Sequence, residues 1–486
     1  MEESRKPNVR LVTRSRRKPT EVSLRSHAED QYRTASERRA DGKALREKVP
    51  REAHTGWKAP KDRRDPVELV LESNKGRMPD LVPIRHGRML QSPFAFYRGS
   101  AALMAADLAH TPVSGPRVQA CGDAHLMNFG AFATPERNVI FDINDLDETL
   151  PAPWEWDLKR LTASVVVAGR HLRLRENDSV RAARATVQAY REQMADYAFM
   201  KALDVWYDRI DLESAMKHLA AEGGVSEEVH KRGEQRIKQA SAKSVAEHDF
   251  PKLVELHGAR PLIKDNPPLI FHPSKELFPG YKTGYAEGIA LYRKSLPEHV
   301  RVLFDRFHFF DVAIKVVGVG SVGTQCLVGL FMAADDDPLF LQIKEARASV
   351  LEPYAGKSLH ANHGQRVIAG QRLMQSATDI FLGWAQGKNG RHYYVRQLRD
   401  MKISAITEDW DDNLLRAYSK LCGVALARAH ARSGDAAMIS GYMGASSTFD
   451  DAICEFAVDY ADQAQRDYRA MVKAVREGRV KAVVET

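Results

Sequence analysis

Residues Asp311–Ala346 read DVAIKVVGVGSVGTQCLVGLFMAADDDPLFLQIKEA. β-Branched runs broken by glycines and by DDDP predict strand, glycine turn, strand, tight turn, strand, joined as antiparallel hairpins. Gly318, Gly320 and Gly323 form G-x-G-x-x-G, a pattern shared by two kinds of phosphate-binding loop. A dinucleotide-binding turn needs a helix straight after the third glycine. Here TQCLVGLF reads as a strand, so the loop, with Ser321 in it, sits inside a hairpin whose backbone amides can cover the phosphates of a nucleotide. The next strand brings Lys344, a residue that such a site requires. The plainer reading is a tight hairpin, with glycines for backbone freedom and an exposed lysine. No acidic partner for Lys344 is evident. Glu352 lies eight residues on, and the helix expected over His363–Ala377 offers Gln365 and Gln371 but no glutamate.

A second stretch precedes it in the chain, Gln119–Leu161: QACGDAHLMNFGAFATPERNVIFDINDLDETLPAPWEWDLKRL. Asp123, Asp142, Asp145, Asp147 and Asp157 stand among Cys121, Phe129, Ile140, Phe141, Ile143, Leu146 and Trp156. Acids at the edge of a core bind a cation, move a proton or close a structural hydrogen-bond network. Short strands over Pro116–Ala120 and Asn138–Ile143 would flank a loop holding Asp123, His125 and Asn128. Phosphoryl transfer needs a carboxylate to position or deprotonate the acceptor hydroxyl, and oxygen ligands for Mg²⁺. Asp123 suits the first role. Asn128 and Asp142 suit the second, and Asp145 and Asp147 either extend the metal site or cap the next loop.

GDAHLMN, then IFDIND, then WEWDL resembles the catalytic region of the aminoglycoside and choline phosphotransferases. That resemblance implies an α+β, two-lobed protein-kinase-like fold, with ATP and Mg²⁺ as cofactors and a small-molecule hydroxyl acceptor. It assigns Asp123 as base, Asn128 and Asp142 to the metal, Asp157 to bracing the loop, and His125 to ordering it. The proposed site is therefore Asp123, His125 and Lys344 for catalysis, Gly318, Gly320, Ser321, Gly323 and Lys344 for the nucleotide, and Asn128, Asp142 and Asp145 for the metal. In kinases the glycine loop precedes the catalytic loop; here it follows, so a circular permutation is expected. The helix LLRAYSKLCGVALARAHARSGD resembles the one that normally leads into the catalytic loop. From about Arg51 to Gly478 the chain also resembles a bacterial family known as domain of unknown function 2252, through SPFAFYRG, CGDAHLMNFG, FDINDLDET, PWEWDLKRL, NHGQRV, YYVRQLRDMK and FAVDYADQ.

The expected organisation is a basic, largely disordered leader over 1–65, a helical catalytic-loop part over 66–307, a β-rich glycine-loop lobe over 308–405, and helices over 406–486 that complete the helical lobe. Residues 250–283 read as a long loop. The leader carries 19 Lys/Arg against 11 Asp/Glu, an excess of eight that equals the whole net charge of +8. A solvated tail explains it; nucleic acid is the minor option, because aromatics are not interleaved in its first thirty residues. Arg85, His86, Arg88 and Arg98 add positive charge ahead of the acidic stretch, either to bind phosphate or to neutralise the acids. Four scattered cysteines without a CxxC pair and the lack of an apolar leader or span fit a cytoplasmic protein with no membrane segment. Oligomeric state is not legible. Two other functions fit the acids: a metal-dependent phosphohydrolase with Asp123, His125, Asp142 and Asp145 as ligands, or a non-catalytic nucleotide-binding protein.

Overall fold

The computed structural model describes residues 32–221, 228, 231–233, 235, 250–258, 260–272, 281–335, 337–388, 390–398 and 410–484. Its helices longer than one turn are α1 (Ala35–Ala44), α2 (Pro66–Glu72), α3 (Val82–Met89), α4 (Pro93–Gly99), α5 (Ala101–Leu108), α6 (Trp154–His171), α7 (Glu176–Tyr197), α8 (Ala202–Tyr207), α9 (Leu212–Ala221), α10 (Tyr281–Ser295), α11 (Glu298–Phe304), α12 (His363–Met374), α13 (Asp412–Ser433), α14 (Ala436–Met443) and α15 (Thr448–Arg476) among the described residues. The starts follow local chemistry. Asp65 caps α2 through the Val67 N–H with Pro66 in the first turn, Ser92 caps α4, and Asn362 and Asp411 cap α12 and α13.

The strands are β1 (Arg117–Ala120), β2 (Phe129–Ala133), β3 (Val139–Ile143), β4 (Leu150–Pro153), β5 (Ile210–Asp211), β6 (Val254–His257), β7 (Arg260–Ile263), β8 (Ile270–Phe271), β9 (His308–Lys315), β10 (Cys326–Ala334), β11 (Asp337–Ala346), β12 (Gly383–Gln386) and β13 (His392–Gln397). The largest sheet is antiparallel, in the order β12-β13-β11-β10-β9-β8. The glycine loop joins β9 to β10, β10 turns into β11 at Ala334 opposite Asp337, and Lys344 lies opposite Cys326 and Tyr394. Helix α12 follows β11 and packs Val367 and Ile368 on Leu382 and Tyr394. Tyr292 of α10, Leu296 just after it, and Val300 and Phe304 of α11 cover Phe331, Leu341 and Val395.

The helical body has its own core, in which α6, α7, α13 and α15 bury Trp154, Leu161, Tyr190, Leu426, Phe449 and Phe456. Trp154 stacks on Tyr190 with ring centroids 5.8 Å apart. The short pairs β1–β4 and β2–β3–β5 form the shelf of this body that carries the acidic loop. The protein is thus α+β, and none of its described helices is long and apolar enough to cross a membrane. All four cysteines are buried free thiols.

Two expectations need correction. The leader is not disordered from residue 33 to 65: α1 docks on α14, Arg46 donates to the carbonyls of Gly441 and Tyr442, and Arg63 pairs with buried Asp107 and Asp467. Its remainder, 1–31, lies outside the described residues, as does most of 222–249. The segment 250–283 is not a plain loop either, since it holds the β6–β7 hairpin and strand β8.

The α1–α14 crossing depends on two glycines. A Cβ on Gly42 would lie 1.9 Å from the Met438 carbonyl oxygen, and one on Gly441 2.0 Å from that of Arg39. Gly441→Ala must push the helices apart, at a cost of about 1–3 kcal/mol. Urea unfolding should show the midpoint falling with an unchanged m-value; an unaltered midpoint would mean that α1 does not dock.

Candidate functional site

The catalytic-loop candidate leaves β1 through Cys121 and Gly122. Gly122 has φ +80°, and a Cβ there would sit 2.5 Å from the Glu148 carbonyl oxygen, so a side chain is excluded on both counts. Buried Asp157 on α6 accepts the N–H groups of Cys121 at 2.5 Å and Gly122 at 2.9 Å, and lies 3.2 Å from Nε2 of buried His430 on α13. One turn along α6, Arg160 donates Nε to Asp123 Oδ1 at 2.7 Å and also donates Nη2 to that oxygen. The other oxygen of Asp123 has His125 Nε2 at 3.9 Å, too far for a hydrogen bond. Burial holds the His125 imidazole down to about 4, so it is neutral at pH 7. Asn128 donates its amide to the carbonyls of Asp123 at 2.9 Å and Asp145 at 3.2 Å, which leaves its side-chain oxygen for another partner.

Lys344 meets this loop. Its Nζ lies 3.1 Å from Asp145 Oδ2 and 2.7 Å from Asp147 Oδ2, and Tyr394 on the neighbouring strand donates its hydroxyl to Asp147. The acids that the sequence did not reveal as partners for Lys344 are therefore in the acidic stretch itself. Burial alone would push the ammonium down, but the two carboxylates outweigh it and hold Lys344 well above the usual lysine range. Burial opposes ionisation of Asp145 as well; Lys344 and Arg396 overcome it and keep this carboxyl below its ordinary range. Helix α12 contributes Arg366 instead of a glutamate. Arg366 donates to the carbonyls of Asp147, Thr149 and Arg347.

The structure does not bring Asp142 to this group. Asp142 is wholly buried, accepts from Arg428 and the Ile143 N–H through one oxygen and from Ser376 N and Oγ through the other, and so has no oxygen left for a cation. The metal-ligand candidates that do meet are Asn128 and Asp145. Oxygen donors of this kind fit Mg²⁺. Among the described residues no group of three or more His, Cys, Asp or Glu is arranged to hold a metal ion.

The glycine loop roofs the same space and is tied to the preceding helices. Arg88 donates to the Gly318 carbonyl at 2.6 Å, Arg77 to that of Val322 at 2.7 Å, and the Met78 N–H to that of Gly323 at 2.7 Å. Two cavities open beneath it. The first, about 580 Å³, is lined by Ser321, Gln342, Lys344, Phe381, Arg396 and Leu398 among others. The second, about 500 Å³, contains Asp123, His125, Asp147, Glu148, Gly320 and Arg347. Sequence reasoning missed Arg160, although its spacing of three from Asp157 puts both on one face of α6. It also missed Arg366 and Tyr394, which no local pattern marks.

These features define an α+β protein with an acid-lined cleft beneath a glycine hairpin. The chain belongs to the bacterial family described as an uncharacterized protein conserved in bacteria (DUF2252), which matches residues 77–474. No curated protein and no solved structure matches it.

Glu148 gives a test of the cleft's electrostatics. Burial raises its carboxyl to about 7, against the opposing pull of Arg366 and the Val350 N–H. The folded state then binds more protons than the unfolded state between about pH 4.5 and 7, so stability is lost as pH rises through that window. Glu148→Gln should remove the loss. The melting temperature of the variant relative to wild type should rise from pH 5 to pH 8; a difference that does not change with pH would show that Glu148 titrates as in water.

Proposed function

We propose that this protein is an ATP- and Mg²⁺-dependent phosphotransferase of protein-kinase-like architecture, circularly permuted, acting on a small-molecule hydroxyl acceptor. The observation that carries the reading is the meeting of Lys344 with Asp145 and Asp147 under the glycine loop, next to Asn128 and Asp123. These groups are separated by about 200 positions in sequence, and they are the set that phosphoryl transfer uses. A glycine hairpin, a lysine on the third strand, a helix and two more strands follow one another as in the small lobe of kinases. Support for the permuted order comes from the end of α13. Ser433 Oγ accepts the Gln119 N–H at 3.1 Å, and Gly434 lies against Val118 and Arg117 of β1. The helix that leads into the catalytic strand in kinases therefore ends on that strand, although the chain does not connect them there.

In this reading Asp123 is the base. Arg160 fixes one of its oxygens and leaves the other facing the second cavity, where an acceptor hydroxyl can approach. Lys344 binds phosphate oxygens, and Asp147, held by Tyr394, keeps the ammonium in place when Asp145 turns to a cation. Mg²⁺ held by Asn128 and Asp145 would neutralise phosphate charge. Asp157 and His430 keep the loop in register. The phosphohydrolase alternative needs Asp142 beside Asp123, His125 and Asp145, and Asp142 is committed to Arg428 instead. A non-catalytic binding protein loses its main support, since Lys344 has acidic partners.

Titration calorimetry with ATP, with and without Mg²⁺, tests the proposal. Wild type should bind ATP more tightly with Mg²⁺. Lys344→Ala and Asp145→Asn should each weaken binding by about tenfold or more, equivalent to about 1.4 kcal/mol. Asp123→Asn should bind ATP normally and fail to transfer phosphate. Wild type that does not bind ATP, or binds it equally well after both substitutions, would sink the reading.

A further inference from the structure

The two cavities meet along a seam. Arg98, Met127, Asn128, Asp145, Gly318 and Ser321 line both of them. If the first cavity takes the nucleotide and the second the acceptor, the phosphoryl group in transit lies on this seam. The seam already holds the proposed metal ligands and the roof of the glycine loop. It also holds one cation, Arg98, at the end of α4.

Arg98 differs from its neighbours in being uncommitted. Arg160 is paired with Asp123 and Lys344 with Asp145 and Asp147. Arg77, Arg85 and Arg347 donate to backbone carbonyls. Arg98 has no ion pair or hydrogen bond through its side chain among the described residues, and its buried Nε lacks a partner. Its guanidinium carbon is 6.0 Å from the Phe94 ring centroid, and its carbonyl oxygen lies 3.5 Å from where a Cβ on Gly320 would stand. Asp123 adds a favourable charge from beyond hydrogen-bond reach, but a half-buried guanidinium whose donors meet no acceptor is costly to keep. Its fork of donors matches phosphate oxygens.

The geometry points to Arg98 as a built-in arginine that grips the transferring phosphoryl group and stabilises its charge in the transition state. This rests on the phosphotransferase reading above. In the step, the acceptor hydroxyl gives its proton to Asp123 and its oxygen forms a bond to the γ-phosphorus. The bond from that phosphorus to the bridging oxygen breaks, and ADP leaves with the electron pair. Arg98 keeps its protons and donates hydrogen bonds to the γ-phosphoryl oxygens throughout. The N-terminal helices, which lie outside the kinase-like core, thereby supply a catalytic residue to it.

The test compares Mg²⁺-dependent binding of ADP and of β,γ-imido-ATP to wild type, Arg98→Ala and Arg98→Lys. Arg98→Ala should lose about tenfold in affinity for imido-ATP and keep its affinity for ADP, because only the first carries a γ-phosphate. Arg98→Lys, which keeps the charge and loses the fork, should fall between. An unchanged ratio of the two affinities, whether both hold or both drop, overturns the role of Arg98 and leaves the phosphotransferase reading standing. Wild type that binds neither nucleotide overturns both. Should Arg98→Ala fail to fold, the ratio measured in Arg98→Lys decides alone.

Discussion

An ammonium group removed from water needs more than one neighbour to be tolerable. Lys344 is almost fully buried, and the desolvation of such a charge costs several kcal/mol before any partner is counted. Asp145 and Asp147 meet that cost together, and Tyr394 and the ring face it presents to Nζ at 5.3 Å add to it. The pairing ties the six-stranded sheet to the acidic loop of the helical body. Arg366 repeats the tie at the level of the backbone, through the carbonyls of Asp147 and Thr149. Separating sheet and body would strand two acids and a base, so the pairing holds the two sides of the cleft together.

The opposite wall is fixed by one helix. Asp157, Arg160 and Ser164 recur at spacings of three and four on α6, on the face turned toward the loop. Each holds a different part of it: the Cys121 and Gly122 amides, the Asp123 carboxylate and the Leu126 amide. The loop carries few backbone bonds of its own and borrows its shape from these side chains. Polar residues in the buried stripe of a helix are otherwise a liability; here each one is satisfied by the loop it shapes.

What could be read in advance was whatever local chemistry decides. Strand alternation, the glycine turn, the Asp65 and Ser92 caps and the helical stretches from Asp412 onward all follow from neighbours within a few residues. The α+β class followed from them. Apart from the local β6–β7 hairpin, the errors have one cause, which is partners far away in sequence. Asp142 looked like a metal ligand because an acid in an apolar strand needs a cation; its cation is Arg428, 286 positions on. A kinase carries the partner of this lysine on the next helix; the partners of Lys344 lie 197 and 199 positions back. Residues 33–65 looked like a solvated tail because they lack an apolar stripe. They are anchored by arginines that donate to carbonyls and acids near the C-terminus, and composition does not distinguish such arginines from solvated ones.

The contact between the end of α13 and β1 has a consequence for biosynthesis. A chain made from its N-terminus exposes Asp142, Asp145 and Asp157 long before Lys344, Arg428 and His430 leave the ribosome. Until then Asp142, Asp145 and Asp157 lack these partners, and α6 and α7 have no α13 to complete their core. The core of the N-terminal half is therefore completed only by the last quarter of the chain. Closure of loops of this length is slow and entropically costly. In this molecule the half that carries the acidic loop is synthesised first and finished last, so the order of the chain also sets the moment at which the cleft can first exist.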